Sequence, residues 1–64
     1  MEQRVKELFA RAAYHNIKQY QIAEEAGIRT GTVSNWRIGR KSPLEETLIL
    51  AEKALERLIA GRVS

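Results

Sequence analysis

The sequence predicts an all-α fold: a compact bundle of about four helices, the last of them long. Three observations point there. Apolar residues recur at spacings of three and four in every segment, the pattern of a one-sided helix. No stretch alternates with period two for long enough to make a strand. Helix-stopping residues fall between the periodic segments, at Asn16, Gly27 and Gly39. At 64 residues and 44% hydrophobic, the expectation is a single domain over 1–64. Such a domain buries only about 60% of the surface that its unfolded chain exposes, so its stability is marginal.

The first helix is predicted over residues 2–14. Val5, Leu8, Phe9, Ala12 and Ala13 form its inner side, while Arg4, Lys6, Glu7 and Arg11 lie elsewhere. His15-Asn16 ends it, because asparagine tolerates the left-handed conformation that a helix stop needs. Ile17 then plugs the core across the turn. A second helix runs from Gln19 to Ala26, with Ile22, Ala23 and Ala26 inward, and Gly27 terminates it. A third starts near Thr30, whose hydroxyl is free to cap, and runs to about Arg37. Val33 and Trp36 (or the stem of Arg37) face inward, Ile28 closes the turn before it, and Gly31 in its first turn costs up to about 1 kcal/mol relative to alanine. The fourth is signposted by Ser42-Pro43-Leu44-Glu45, a cap residue, a proline at the first helical position and a glutamate three after the cap. Leu44, Leu48, Ala51, Leu55 and Leu58 follow as its core stripe, and Gly61 stops it.

Catalysis is a poor fit to the inventory. There is no cysteine and no aspartate, and His15 is the only histidine. A nucleophile, its base and an orienting group cannot be assembled from that set, and one histidine among scattered glutamates does not make a metal site. The expectation is a non-enzyme without cofactor. The absence of cysteine also reads as intracellular. The longest apolar runs are three or four residues, far short of the roughly 20 that span a bilayer, and the start Met-Glu-Gln-Arg lacks a signal region. Together these read as an intracellular, cytoplasmic chain.

Charge is unevenly distributed. Residues 28–43 hold Arg29, Arg37, Arg40 and Lys41 and no acid, so this stretch carries more than the whole net charge of +3. Between those cations lie the short hydrogen-bonding side chains Thr30, Thr32, Ser34, Asn35 and Ser42. Taken alone, such a stretch is as compatible with a solvated loop as with a nucleic-acid footprint.

Two short helices joined by Gly27-Ile28-Arg29 have the geometry of a helix-turn-helix, about residues 19–37. Gln19, Ala23, Gly27, Ile28, Val33, Trp36 and Gly39, in that order and spacing and followed by Pro43, resemble the repressor/Cro-type helix-turn-helix family of phage and bacterial regulators, over roughly residues 4–56. Each position has a structural reason. Ala23 sits where the two motif helices come closest, Gly27 supplies the turn, and Ile28 and Val33 anchor the third helix to the core.

The resemblance implies that the third helix enters the major groove of double-stranded DNA. Thr30, Gly31, Ser34 and Asn35 then face base edges. Asn35 suits a paired contact to adenine, and Thr30 or Thr32 a thymine methyl. Gly31 replaces a reading side chain of many relatives; either the backbone comes closer there, or the protein reads fewer bases and more shape. Gln19, Arg29, Thr32, Arg37, Arg40 and Lys41 are the phosphate-contacting set. Arg29 can also reach a guanine, and Gln19 can instead cap its helix. Lys18 and Tyr20 are weaker candidates, and Trp36 reads as packing.

Two departures from the family pattern stand out. Lys18 and Arg29 occupy the cap positions where relatives carry Ser or Thr, so each motif helix forgoes about 1 kcal/mol. Ala12 and Arg37 replace an arginine–acid pair, which leaves Arg37 available for phosphate. The fourth helix carries further apolar residues, Ile49, Leu50, Ala54 and Ile59. They form either a broad core face or a homodimer surface, the latter suited to an inverted-repeat operator with half-sites about 34 Å apart. The functional expectation is a transcriptional regulator of Cro-like size, a repressor acting by operator occupancy. The rival is a protein-interaction module (antitoxin- or accessory-type) using the apolar side of the last helix. RNA binding and membrane association rank lower, the former for want of an exposed aromatic platform, the latter because the basic stretch and the apolar stripe lie on different elements.

Overall fold

The computed structural model describes residues 3–63, with side chains through Gly61. It is all-α: α1 (Gln3–Tyr14), α2 (Gln19–Ala26), α3 (Thr30–Arg37) and α4 (Glu45–Val63). Residue 2, the expected start of the first helix, lies outside the described residues, as do residues 1 and 64 of the expected domain.

The first three helices end in the same way. Asn16, Gly27 and Gly39 each adopt a left-handed φ, of 56°, 75° and 79°. At each stop the next residue's N–H reaches back five residues: Ile17 to the Ala12 carbonyl at 2.8 Å, Ile28 to Ala23 at 2.9 Å, Arg40 to Asn35 at 2.9 Å. This is the Schellman arrangement, which satisfies carbonyls that the helix end leaves over. The first two stops deliver an isoleucine, Ile17 buried and Ile28 packed against the core. The third delivers Arg40 to solvent.

One core joins all four helices. Val5, Leu8 and Ala12 of α1 meet Ile22 and Ala23 of α2, Val33 and Trp36 of α3, and Leu48, Ala51, Ala54 and Leu55 of α4. Ala23 is fully buried, as the close approach of α2 and α3 requires, and Trp36 is a packing residue at 3% exposure. Phe9, Ala26, Leu58 and Ile59 flank this cluster, partly buried. Two ion-pair staples brace it from outside. Arg4 of α1 donates to both oxygens of Glu45 (2.7 and 2.6 Å) and to Glu52 (2.7 and 3.3 Å) on α4. The Glu52 and Glu45 carboxylates push this guanidinium still further above its ordinary pKa. Arg57 of α4 donates to the Glu25 carboxylate at 2.9 Å and to its backbone carbonyl at 3.2 Å.

Several expectations are corrected. Ala13 is exposed, because it falls about 100° past Ala12 and off the inward line. Arg29, not Thr30, is the N-cap of α3, and its side chain makes no capping bond. α4 does not begin at Pro43: the Leu44 carbonyl accepts the first helical bond, from Leu48 N–H at 2.9 Å, so Leu44 is the cap. Lying outside the helix, Leu44 is no part of the core stripe and is 76% exposed. Gly61 does not stop α4, which continues to Val63; its φ is not left-handed, and no apolar residue directly after it pulls the chain back onto the core. Ala54 lies in the core rather than on an outer surface, and Ile59 is partly buried against it. Ile49 and Leu50 remain, 36% and 48% exposed.

Candidate nucleic-acid interface

α3 is held by its inner side alone. Val33 and Trp36 are buried, while Thr30, Gly31 and Arg37 are exposed and Thr32, Ser34 and Asn35 half-buried. At about 100° per residue, Gly31, Ser34, Asn35 and Ile38 stand one above another, spaced i, i+3, i+4 and i+7. This stripe is the outward ridge of the helix. Thr30 lies at its amino-terminal edge. An added Cβ at Gly31 would meet nothing within 4 Å, so the ridge is bare backbone at that level.

A groove flanks the ridge on each side. One is lined by Phe9, Ala13, Lys18, Gln19, Tyr20 and Arg37, among others. It contains the amino end of α2, where the N–H groups of Gln21 and Ile22 both go to the Lys18 carbonyl. The N–H groups of Gln19 and Tyr20 have no acceptor among the described residues and mark the positive end of the helix dipole. Lys18 is the N-cap, and its own N–H donates to Gln21 Oε1 at 2.7 Å, half of a capping box that an ammonium side chain cannot complete. Gln21, not Gln19, therefore does the capping. Gln19 has a different distinction: its Oε1 is buried without a hydrogen-bond partner, the one such side-chain atom among the described residues. Lys18 and Arg37, both exposed, bring two cations to this groove, a setting that favours an anion.

The second groove is lined by Thr32, Asn35, Trp36, Lys41, Ser42 and Thr47, with Pro43 and Leu44. Here the backbone of Asn35 organises the basic loop. Its carbonyl accepts the N–H of Arg40 at 2.9 Å and that of Lys41 at 3.4 Å. Asn35 thus stands on the outward ridge and also anchors the two cations that follow it.

The cations differ in their partners. Arg4 and Arg57 are tied to glutamates on α2 and α4. Arg29, Arg37, Arg40 and Lys41 are exposed and form no ion pair among the described residues. The expected phosphate set is therefore distributed around α3: Arg37 and Gln19 on one groove, Thr32 and Lys41 on the other, Arg40 on the loop, Arg29 at the amino end. Three ridge and groove members escaped the reading of the sequence. Ser42 reads there only as a hydroxyl of the basic stretch, Thr47 as one more residue of the fourth helix, and Ile38 carries no role. The i+7 spacing of Ile38 from Gly31 was the available signal. No group of three or more potential metal ligands occurs among the described residues, and no helix among them is long and apolar enough to cross a membrane.

No curated protein and no solved structure matches the chain. A family model does: the helix-turn-helix family, over residues 14–59. That span takes in α2, the turn at Gly27, α3 and most of α4. By the match and by the motif it covers, the chain belongs to the helix-turn-helix family, of the Cro/repressor type, whose members are DNA-binding regulators of transcription.

Proposed function

We propose that the protein is a repressor that acts by occupying an operator in double-stranded DNA, with α3 in the major groove and the two grooves receiving the phosphates on either side. The observation that carries this reading is the combination on α3 of a polar outward ridge with four cations around it, Arg29, Arg37, Arg40 and Lys41, that form no ion pair among the described residues. Thr30, Gly31, Ser34 and Asn35 face the bases. Asn35 pairs with an adenine through its amide, and Gly31 lets the backbone approach closely. Gln19, Arg29, Thr32, Arg37, Arg40 and Lys41 hold phosphates, Gln19 with the dipole of α2 behind it. Two copies associate through α4 about Ile49 and Leu50 and read an inverted repeat, each contributing one α3 to successive major grooves.

The test is selection from random-sequence duplex DNA, with sequencing, repeated at several salt concentrations. The expected result is an inverted repeat with half-sites about 10 base pairs apart, retained at physiological salt. Enrichment of no sequence, with binding lost by that salt, would reduce the basic region to a non-specific surface and favour a protein partner for α4 instead.

A further inference from the structure

Ile38 is an isoleucine in an unusual place. It is 64% exposed and completes the outward ridge of α3 above Ser34 and Asn35, one turn beyond the residues proposed to read bases. Its position is fixed: its own N–H bonds the Ser34 carbonyl at 3.1 Å, and the left-handed Gly39 and the Arg40–Asn35 bond hold the chain directly after it. A single exposed apolar residue is ordinary on a protein surface. This one stands among Arg37, Arg40 and Lys41 with no acid between residues 28 and 43. An apolar protein partner covering it would have to desolvate those cations without pairing them, which is costly. A polyanion pairs them. In the major groove of DNA, the polyanion presents one apolar group among hydrogen-bonding edges, the 5-methyl of thymine.

We infer that Ile38 is a specificity-determining residue that recognises a thymine through its 5-methyl group. The inference rests on the DNA-binding reading above and deepens it, since it adds a wholly aliphatic side chain to a set so far made of amide, hydroxyl, glycine and cationic residues. It also sets the polarity of the half-site: the thymine lies beyond the base read by Asn35, on the side toward the Arg40–Lys41 loop.

The experiment uses the full chain and its Ile38→Ala variant, both checked for helix content by circular dichroism. Each is selected against random duplexes. The duplex preferred by the wild type is then resynthesised with deoxyuridine replacing each thymidine in turn, which removes only the methyl. The expected result is one position in each half-site where deoxyuridine weakens wild-type binding by about four-fold, the value of one buried methyl-sized group, while I38A binds both duplexes alike and no longer enriches thymine there. Equal sensitivity of both proteins at every position, or no loss anywhere, overturns the inference and leaves the DNA-binding reading standing. Failure of the wild type to enrich any duplex removes both.

Discussion

Salt offers the most direct quantitative test of the interface. Each phosphate neutralised by a cation releases condensed counterions, so log K falls with log salt at about 0.9 per contact on duplex DNA. Arg29, Arg37, Arg40 and Lys41, the cations assigned to phosphate, are exposed and form no ion pair among the described residues. If all four meet phosphate, one chain contributes a slope of about −3.6, and two chains on an inverted repeat about −7. Between 50 and 200 mM salt the dimer then loses about 10⁴-fold in affinity. Replacing Arg37 by glutamine removes one contact per chain. The slope flattens by about 1.8 for the dimer, and at 150 mM salt binding weakens by about 30-fold, uniformly across operator variants. Fluorescence anisotropy of a labelled duplex titrated from 50 to 400 mM KCl reads both quantities. Arg37 is exposed, so the fold is unaffected, and the buried Trp36 beside it gives a fluorescence check on that point. A wild-type slope shallower than about −2, or a slope identical in R37Q, would refute the assignment of these cations to phosphate.

Other perturbations separate fold from function. Gly39→Ala and Gly31→Ala make the same chemical change with opposite consequences. At φ +79° a Cβ costs about 1–2 kcal/mol, whereas Gly31 is helical with open space around it and gains up to about 1 kcal/mol. Urea melts of the two variants on either side of the wild type are the expected outcome. Leu55→Ala, at a site with no exposure, costs about 2–5 kcal/mol. In a domain this small that is comparable with the whole stability, and circular dichroism at 25 °C should find a large unfolded fraction. Ile49→Glu is expected to abolish self-association by sedimentation equilibrium while leaving the helix content intact. Ala54→Glu places a charge at a fully buried position and is expected to unfold the chain instead.

The helix-turn-helix was legible in the sequence apart from the cap of α3, and the ends of α4 were not. The difference lies in how local the deciding interactions are. At Gly27 the stop is written in adjacent residues: a glycine for the left-handed turn and Ile28 to pack behind it. At Ser42-Pro43-Leu44-Glu45 the local pattern matches a capped helix start. The chain nevertheless leaves α3 with both Arg40 and Lys41 bound to the Asn35 carbonyl, and residues 42–44 are used in crossing to α4. That demand is tertiary, and it moves the cap to Leu44. Gly61 illustrates the converse, since a glycine without a left-handed φ is simply a weak helix residue. On the site, residue types and charge identified the basic stretch and its candidate contacts. The grooves were invisible, because Thr47 of α4 and Phe9 of α1 reach them only through packing. The Arg4–Glu45–Glu52 staple was equally hidden, as Arg4 is more than forty residues from either glutamate.

The burial pattern has a consequence for the order in which the molecule comes into being. The connections between helices are short, residues 15–18, 27–29 and 38–44, so the first three helices can form and stop as soon as each has been synthesised. None of them can close the core. Leu48, Ala51, Ala54 and Leu55, a third of the buried apolar residues described, all reside on α4, and the two ion-pair staples both end there. α3 therefore has a firm platform only once α4 has left the ribosome. A nascent or truncated chain that carries the complete helix-turn-helix but lacks α4 would present every side chain proposed to read DNA and still be unable to hold them in place.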